Sequence, residues 1–266
     1  MTIGRLTIQN FRRLEAVDIV LSPRLNVFYG ANASGKTSVF EALHWLSTGR
    51  SFRTARFRDC LRHGAERCII TARVAGPDGR EHLLGVQRDR QNTLMKVAGE
   101  RVHRVTDMAR WVPLQVIHPD SHFLLTAGPG HRRQFLNWGV FHVEPRFYTA
   151  WLRYRRALQQ RNSALKQKDR RMDGAWDAEL SQAASVIHEQ REAYVDSLRK
   201  ALPPFIAAIM GEQEIELHYQ PGWDVSRTLA ETLRDQQDRD RYRGFTAYGP
   251  HRGGLVRQGQ WLQGTG

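Results

Sequence analysis

The stretch Gly30-Ala31-Asn32-Ala33-Ser34-Gly35-Lys36-Thr37 restricts this chain more than any other. It fits G-x-x-x-x-G-K-[ST], the phosphate-binding P-loop. The preceding Leu25-Asn26-Val27-Phe28-Tyr29 is short, apolar and aromatic, which predicts a buried strand. After it, Val39, Leu43 and Leu46, with Phe40 and Ala42 beside them, repeat at helical spacing. A strand before the loop and a helix after it distinguish a working P-loop from an ordinary Gly-Ser turn, the plainer alternative. Each residue type has a task there. Gly30 and Gly35 permit backbone turns that a side chain would block. The amides of Ala31, Asn32, Ala33 and Ser34 can then converge on phosphate oxygens, helped by the positive end of the helix. Lys36 can reach the β- and γ-phosphates of ATP, and Thr37 can offer its hydroxyl to Mg²⁺.

The 266 residues are enough to bury a substantial core in one large domain or two smaller ones. A hydrophobic content of 41% is that of a globular chain and excludes a disordered tail. The net charge of +13 and a pI near 10.5 favour a polyanionic partner, nucleic acid being the common one. No signal peptide is recognisable after Met1, and no apolar run approaches membrane-spanning length. The spacing of Cys60 and Cys68 fits no zinc pattern, so both are expected to be free thiols in a reducing cytoplasm.

Residues 3–8 alternate as a strand, Gln9-Asn10-Phe11-Arg12-Arg13 follows, and Val17 to Leu21 predicts a second strand. Between 67 and 104, three alternating runs and the turn signal Gly76-Pro77-Asp78-Gly79 predict an antiparallel meander. Leu114 to His118 is expected to be another buried strand. The nearby His118, Asp120 and His122 flank Pro119 in a turn, so a metal pair is not expected. Residues 129–143 predict a helix exposing Arg132 and Arg133. Phe147, Trp151, Tyr154, Leu158 and Leu165, then Trp176, Leu180, Ala183, Ile187, Tyr194 and Leu198, form two apolar stripes around a polar loop, an αα-hairpin. Residues 205–210 invite a strand assignment but no Asp closes them, 215–219 alternate as a strand, and 226–243 predict a polar helix.

The strand ending Gln-Asn-Phe-Arg, followed by Gly-Ala-Asn-Ala-Ser-Gly-Lys-Thr, resembles the SMC-like ATPases. Within that group Gly49-Arg50-Ser51-Phe52-Arg53, the run from Gly128 to Leu136, Gln160-Arg161-Asn162 and Tyr248-Gly249-Pro250-His251-Arg252 resemble the RecF family of recombination mediators, over residues 1 to about 257. The resemblance implies an α/β fold, an ABC-type P-loop ATPase head with an antiparallel β-subdomain and an inserted helical-hairpin arm. It divides the chain into a head lobe (1–128), the arm (129–212) and a return to the head (213–266). It implies ATP and Mg²⁺ as cofactors, an ATP-dependent homodimer, gapped or single-strand/double-strand junction DNA bound without sequence preference, and RecR- and RecO-type partner proteins in recombinational repair. One departure is visible. The family continues His-Arg-Asp-Asp-Leu, whereas this chain has His251-Arg252-Gly253-Gly254-Leu255.

Basic residues cluster in two places. Arg53 and Arg56 belong to an arginine run over 51–67 with few acids, able to track phosphates or simply to solvate a loop. Arg153, Arg156, Arg161, Lys166 and Lys168 crowd the hairpin, with Arg132 and Arg133 just before it, and predict a backbone-binding face. No apolar strand ending in Asp and a second acid, and no Ser-Gly-Gln-type signature, occurs in the sequence. The expectation is therefore a C-terminally incomplete chain that binds nucleotide weakly and neither dimerises on ATP nor hydrolyses it. Two alternatives stand beside this: another SMC-like head of the ATP-dependent nuclease type, and a P-loop kinase for a small molecule, which would leave the basic arm unexplained.

Overall fold

Alternation sets the first layer. In the computed structural model, which describes residues 1–76, 79–117, 128–167, 170–211 and 215–258, β1 (Thr2–Phe11) and β2 (Leu14–Val20) form a hairpin around Arg12 and Arg13. The meander follows as β3 (Arg67–Ala75), β4 (Glu81–Asp89), β5 (Thr93–Val97) and β6 (Glu100–Val102). Together they make one antiparallel sheet in the order β2-β1-β3-β4-β5-β6. Leu6 and Ile8 of β1, Ile70, Ala72 and Val74 of β3, and Leu84 and Val86 of β4 point to one face and are buried. They pack on Val39, Ala42, Trp45 and Leu46 of α1 (Lys36–Thr48) and on Met108 of α2 (Val105–Ala109). Period two in the strands and 3.6 in the helix thus build one core from two patterns. Both cysteines are free and buried in this unit, and burial pushes the Cys68 thiol up to about 12.

The chain divides into two compact units, residues 1–117 and 118–266. In the second, α3 (Pro129–Val143), α4 (Phe147–Gln167) and α5 (Asp177–Ala201) precede α6 (Pro203–Met210). Then come β7 (Glu216–Gln220), α7 (Leu229–Asp235), α8 (Gln237–Arg243) and β8 (Gly254–Gln258), the two strands pairing antiparallel. The arm and the return segment share one core: Tyr154, Leu180, Ile187 and Val195 of the hairpin are buried with Leu229, Leu233 and Leu255. The expected single helix over 226–243 is two, broken at Gln236.

Two expected strands are corrected. Leu25–Tyr29 forms no strand and has no ladder partner among the described residues. Leu25, Val27 and Tyr29 are exposed, and Phe28 alone turns inward, meeting Phe40 edge-on at 5.3 Å. Leu114–Ile117 is likewise unpaired, with Ile117 exposed, while His118, Asp120 and His122 lie outside the described residues. Apolar composition supplies a reason for burial, but a strand also needs neighbours for its backbone groups. Residues 205–210 are helical because Pro203 and Pro204 occupy a first turn, where no amide is required.

Candidate nucleotide site and basic surfaces

The P-loop is shaped by positive φ angles at Gly30 (143°), Ala33 (63°) and Gly35 (99°). Gly35 caps α1 without any side-chain hydrogen bond, so the first amides of that helix face the loop unsatisfied. A Cβ at Gly35 would also stand 2.7 Å from Leu14 Cδ2, so the sheet hairpin itself enforces the glycine. Lys36 folds back over the loop, its Nζ donating to the carbonyls of Gly30 (2.8 Å) and Ala31 (2.7 Å). An ammonium has three donors, so one remains for an incoming anion.

These residues line a cavity of about 490 Å³. Asn32, Ala33, Ser34, Gly35, Lys36, Thr37 and Ser38 form one wall, and Arg12, Arg13 and Arg53 form the other. No carboxylate lines it. A cavity with four cations and no carboxylate at an uncapped helix N-terminus fits a polyphosphate, and the exposed Thr37 hydroxyl in its lining suits a hard cation riding on one.

Glu41, which sequence reasoning missed, organises the arginine wall. It is fully buried on α1 and accepts from Arg12 Nη2 (2.6 Å) and Nε (3.0 Å), from the Ser51 hydroxyl, and from Arg53 Nη1 (3.5 Å). Burial alone would raise its pKa, but the hydrogen bonds from Arg12 and Ser51 and the nearby guanidinium charges win, leaving the carboxyl below its usual value. Arg12 also donates through Nη1 to the Asp59 carbonyl and through its backbone amide to the Cys60 carbonyl (2.7 Å). It holds a left-handed φ of 56°, an uncommon conformation for a long side chain, which these bonds enforce. The Gln-Asn-Phe-Arg and Ser-Phe-Arg stretches were the available signal. Their meeting with Glu41 depends on the sheet placing residue 12 beside residues 41 and 53.

The candidate basic residues separate into classes. Arg53 belongs to the P-loop cavity. Arg56 is exposed on a different surface, with Arg58, Arg88 and Arg90. Arg132 and Arg133 are half-buried rather than exposed. Their guanidinium groups donate to the β8 segment at Leu255 O (3.1 Å) and Gly253 O (3.5 Å), and burial lowers the Arg133 pKa. Arg161 is interior, paired with Asp177 (3.1 Å) and Asp240 (2.7 Å). Arg153 is exposed but bidentate to Glu179 on α5 (2.7 and 2.8 Å). The hairpin's first helix is thus less one-sided in charge than its own sequence suggests, because acids meet it from α5 and α8. Arg156 and Lys166 are exposed, and Lys168 lies outside the described residues.

The Tyr248–Arg252 loop is a packing device. His251 Nε2 donates to the Thr246 carbonyl (3.0 Å), which fixes the tautomer, and Nδ1 accepts from the Tyr154 hydroxyl (2.6 Å). Burial lowers its pKa to about 4. At Gly253, where the family pattern has an acid, a Cβ would stand 2.1 Å from Pro221 O and 2.5 Å from Gln220 O. Backbone contact there leaves no room for a side chain.

Comparison with known proteins follows the same lines. A model of the AAA domain matches residues 5–101. The DNA replication and repair protein RecF of Pseudomonas fluorescens Pf-5 is 41% identical over 258 residues, 96% of this chain and 70% of that protein. The RecF proteins of Stutzerimonas stutzeri A1501 and Pseudomonas aeruginosa LESB58 are each 40% identical over the same shares. Among solved structures, the recombination mediator RecF-ATPrS of the RecFOR pathway superposes with a TM-score of 0.84 at 24% identity, covering 96% of this chain and 73% of its own. The corresponding RecF-ATP structure gives 0.83 at 23%, covering 97% and 73%. These two establish the shared fold.

Proposed function

The chain belongs to the RecF family of DNA replication and repair proteins, and from that premise we propose how its own residues serve an ATP-dependent DNA-binding protein of recombinational repair. ATP occupies the P-loop cavity. Lys36 and the amides around Gly35 hold the phosphates, and Arg12, Arg13 and Arg53 neutralise them from the facing wall. Thr37 carries the Mg²⁺ that accompanies the nucleotide. Glu41 positions Arg12 and Arg53 and does not touch the ligand. The observation that carries this is the cavity of four cations, free of carboxylates, at an uncapped helix N-terminus.

DNA is the macromolecular partner, bound through its phosphates at gapped or single-strand/double-strand junctions, and the cytoplasm is the proposed site of action. No helix of the described residues is long and apolar enough to cross a membrane. RecR- and RecO-type proteins, and a second copy of the full-length protein joined through ATP, complete the set of partners. A small-molecule kinase gains no support from the family assignment. Titrating labelled gapped duplex with this chain across a salt series tests the proposal. Binding that weakens steeply with salt is expected. Absence of DNA binding at low salt would overturn it.

A further inference from the structure

A second basic surface lies apart from the P-loop cavity and plays no part in holding nucleotide. It is a groove of about 520 Å³ lined by Arg56, Phe57, Arg58, Asp59, Arg88 and Arg90. We propose that this groove grips the phosphate backbone of double-stranded DNA, a proposal that rests on the DNA-binding reading above.

Four guanidinium groups meet there against a single carboxylate. That carboxylate, Asp59, accepts from the Thr54 hydroxyl (2.7 Å). The neighbouring Asp89 accepts through one oxygen from the amides of Gln91 (2.7 Å) and Asn92 (2.6 Å), which fixes the turn after β4, and Glu81 at the far end of β4 pairs with Arg73 (3.3 Å). Among the described residues, none of the four arginines has an ion-pair partner. Surface arginines commonly find one, and a cluster left uncompensated on a rigid frame is the footprint of a phosphate binder. The frame is built: the Cys60 amide closes the Phe57–Asp59 turn on the Phe57 carbonyl (2.8 Å), and Arg12 holds the Asp59 carbonyl.

The aromatic ring decides between backbone and base. Phe57 is already engaged, by Trp45 stacked at 5.9 Å and by Arg88, whose guanidinium carbon lies 4.5 Å from the ring centroid. No other aromatic lines the groove. Single-strand binders stack successive bases on a platform of open rings, whereas this groove has a single ring, already engaged by two neighbours. What it offers is planar, multidentate donors suited to phosphate oxygens. Duplex DNA, recognised without sequence preference, is the ligand that fits.

The test is the triple variant Arg56→Ala/Arg58→Ala/Arg90→Ala. Arg88 is kept because it packs on Phe57. Duplex and oligo-dT binding are measured by fluorescence anisotropy across a salt series, beside a thermal melt and an ATP titration. The variant should lose roughly tenfold or more in duplex affinity, and its log K against log salt slope should become shallower by about 0.9 for each phosphate no longer neutralised. Its melt and ATP binding should match the unaltered chain, and the corresponding triple lysine variant should recover most of the slope. Unchanged duplex affinity and slope in the alanine variant, while the unaltered chain binds, would overturn the groove alone. A loss seen equally or more strongly on oligo-dT would overturn its assignment to duplex. Failure of the unaltered chain to bind any DNA would overturn the DNA-binding reading and the groove with it.

Discussion

Arg161 carries a charge into the interior of the arm because acceptors from three elements meet it there. Asp177 begins α5, Asp240 and Gln237 (2.8 Å) come from α8, and the Thr246 hydroxyl (2.8 Å) comes from the loop beyond. The adjacent Asn162 accepts the Thr246 amide and hydroxyl at 2.8 Å each. Gln160-Arg161-Asn162 is therefore an architectural motif. Arg161→Ala leaves Asp240 buried without its partner and should cost about 3–5 kcal/mol. A denaturant titration reads that loss, and DNA affinity measured well below the transition should be unchanged. His251 is a pH-sensitive residue of the same unit. Its imidazole is depressed to about 4 by burial when folded, and takes up a proton near 6.5 when unfolded. Between those values the unfolded state binds more protons, so stability should fall as pH falls through that window and level off below about 4. The full effect is up to about 3 kcal/mol from this one group. Comparing the pH dependence of urea midpoints for the chain and for His251→Asn isolates it; parallel curves would exclude it.

At α1, the sequence already contained most of what the structure uses. Glycine, lysine and threonine at fixed spacing, followed by a helical apolar stripe, determine the loop and helix locally. Gly35 shows where local information stops. Its φ of 99° was readable from the motif, but the approach of Leu14 from β2, 2.7 Å from where a Cβ would stand, was not. Gly35→Ala should accordingly distort the loop on both grounds. The expected outcome is lost nucleotide binding with only a small change in melting temperature, because the sheet core beneath is untouched; retained ATP affinity would contradict it. The arm hairpin was legible from two stripes of period 3.6, whereas its charge was not, since Glu179 meets Arg153 from the hairpin's second helix and Asp240 meets Arg161 from α8. Leu25–Tyr29 and Leu114–Ile117 were misread for the complementary reason. Their apolar residues announce burial, but only pairing makes a strand, and pairing is non-local.

Across the whole molecule, one basic chain resolves into separate electrostatic tasks. Some arginines are structural, as Arg161, Arg132 and Arg133 are. Some ring the P-loop cavity, as Arg12, Arg13 and Arg53 do. Others have no ion-pair partner among the described residues, as in the Arg56 group. Net charge and pI pointed to a polyanion but could not sort these classes, because sorting needs the acids that fold back on them. The nucleotide cavity is the centre of the account, and Lys36 is its least replaceable cation. The most direct measurement is a calorimetric titration of Mg-ATP into this chain and into Lys36→Ala. Saturable binding to the chain, weakened roughly tenfold or more (about 1.4 kcal/mol or more) in the variant, is the predicted result. Equal affinity in both, or no ATP binding by a chain that still binds DNA, would contradict it.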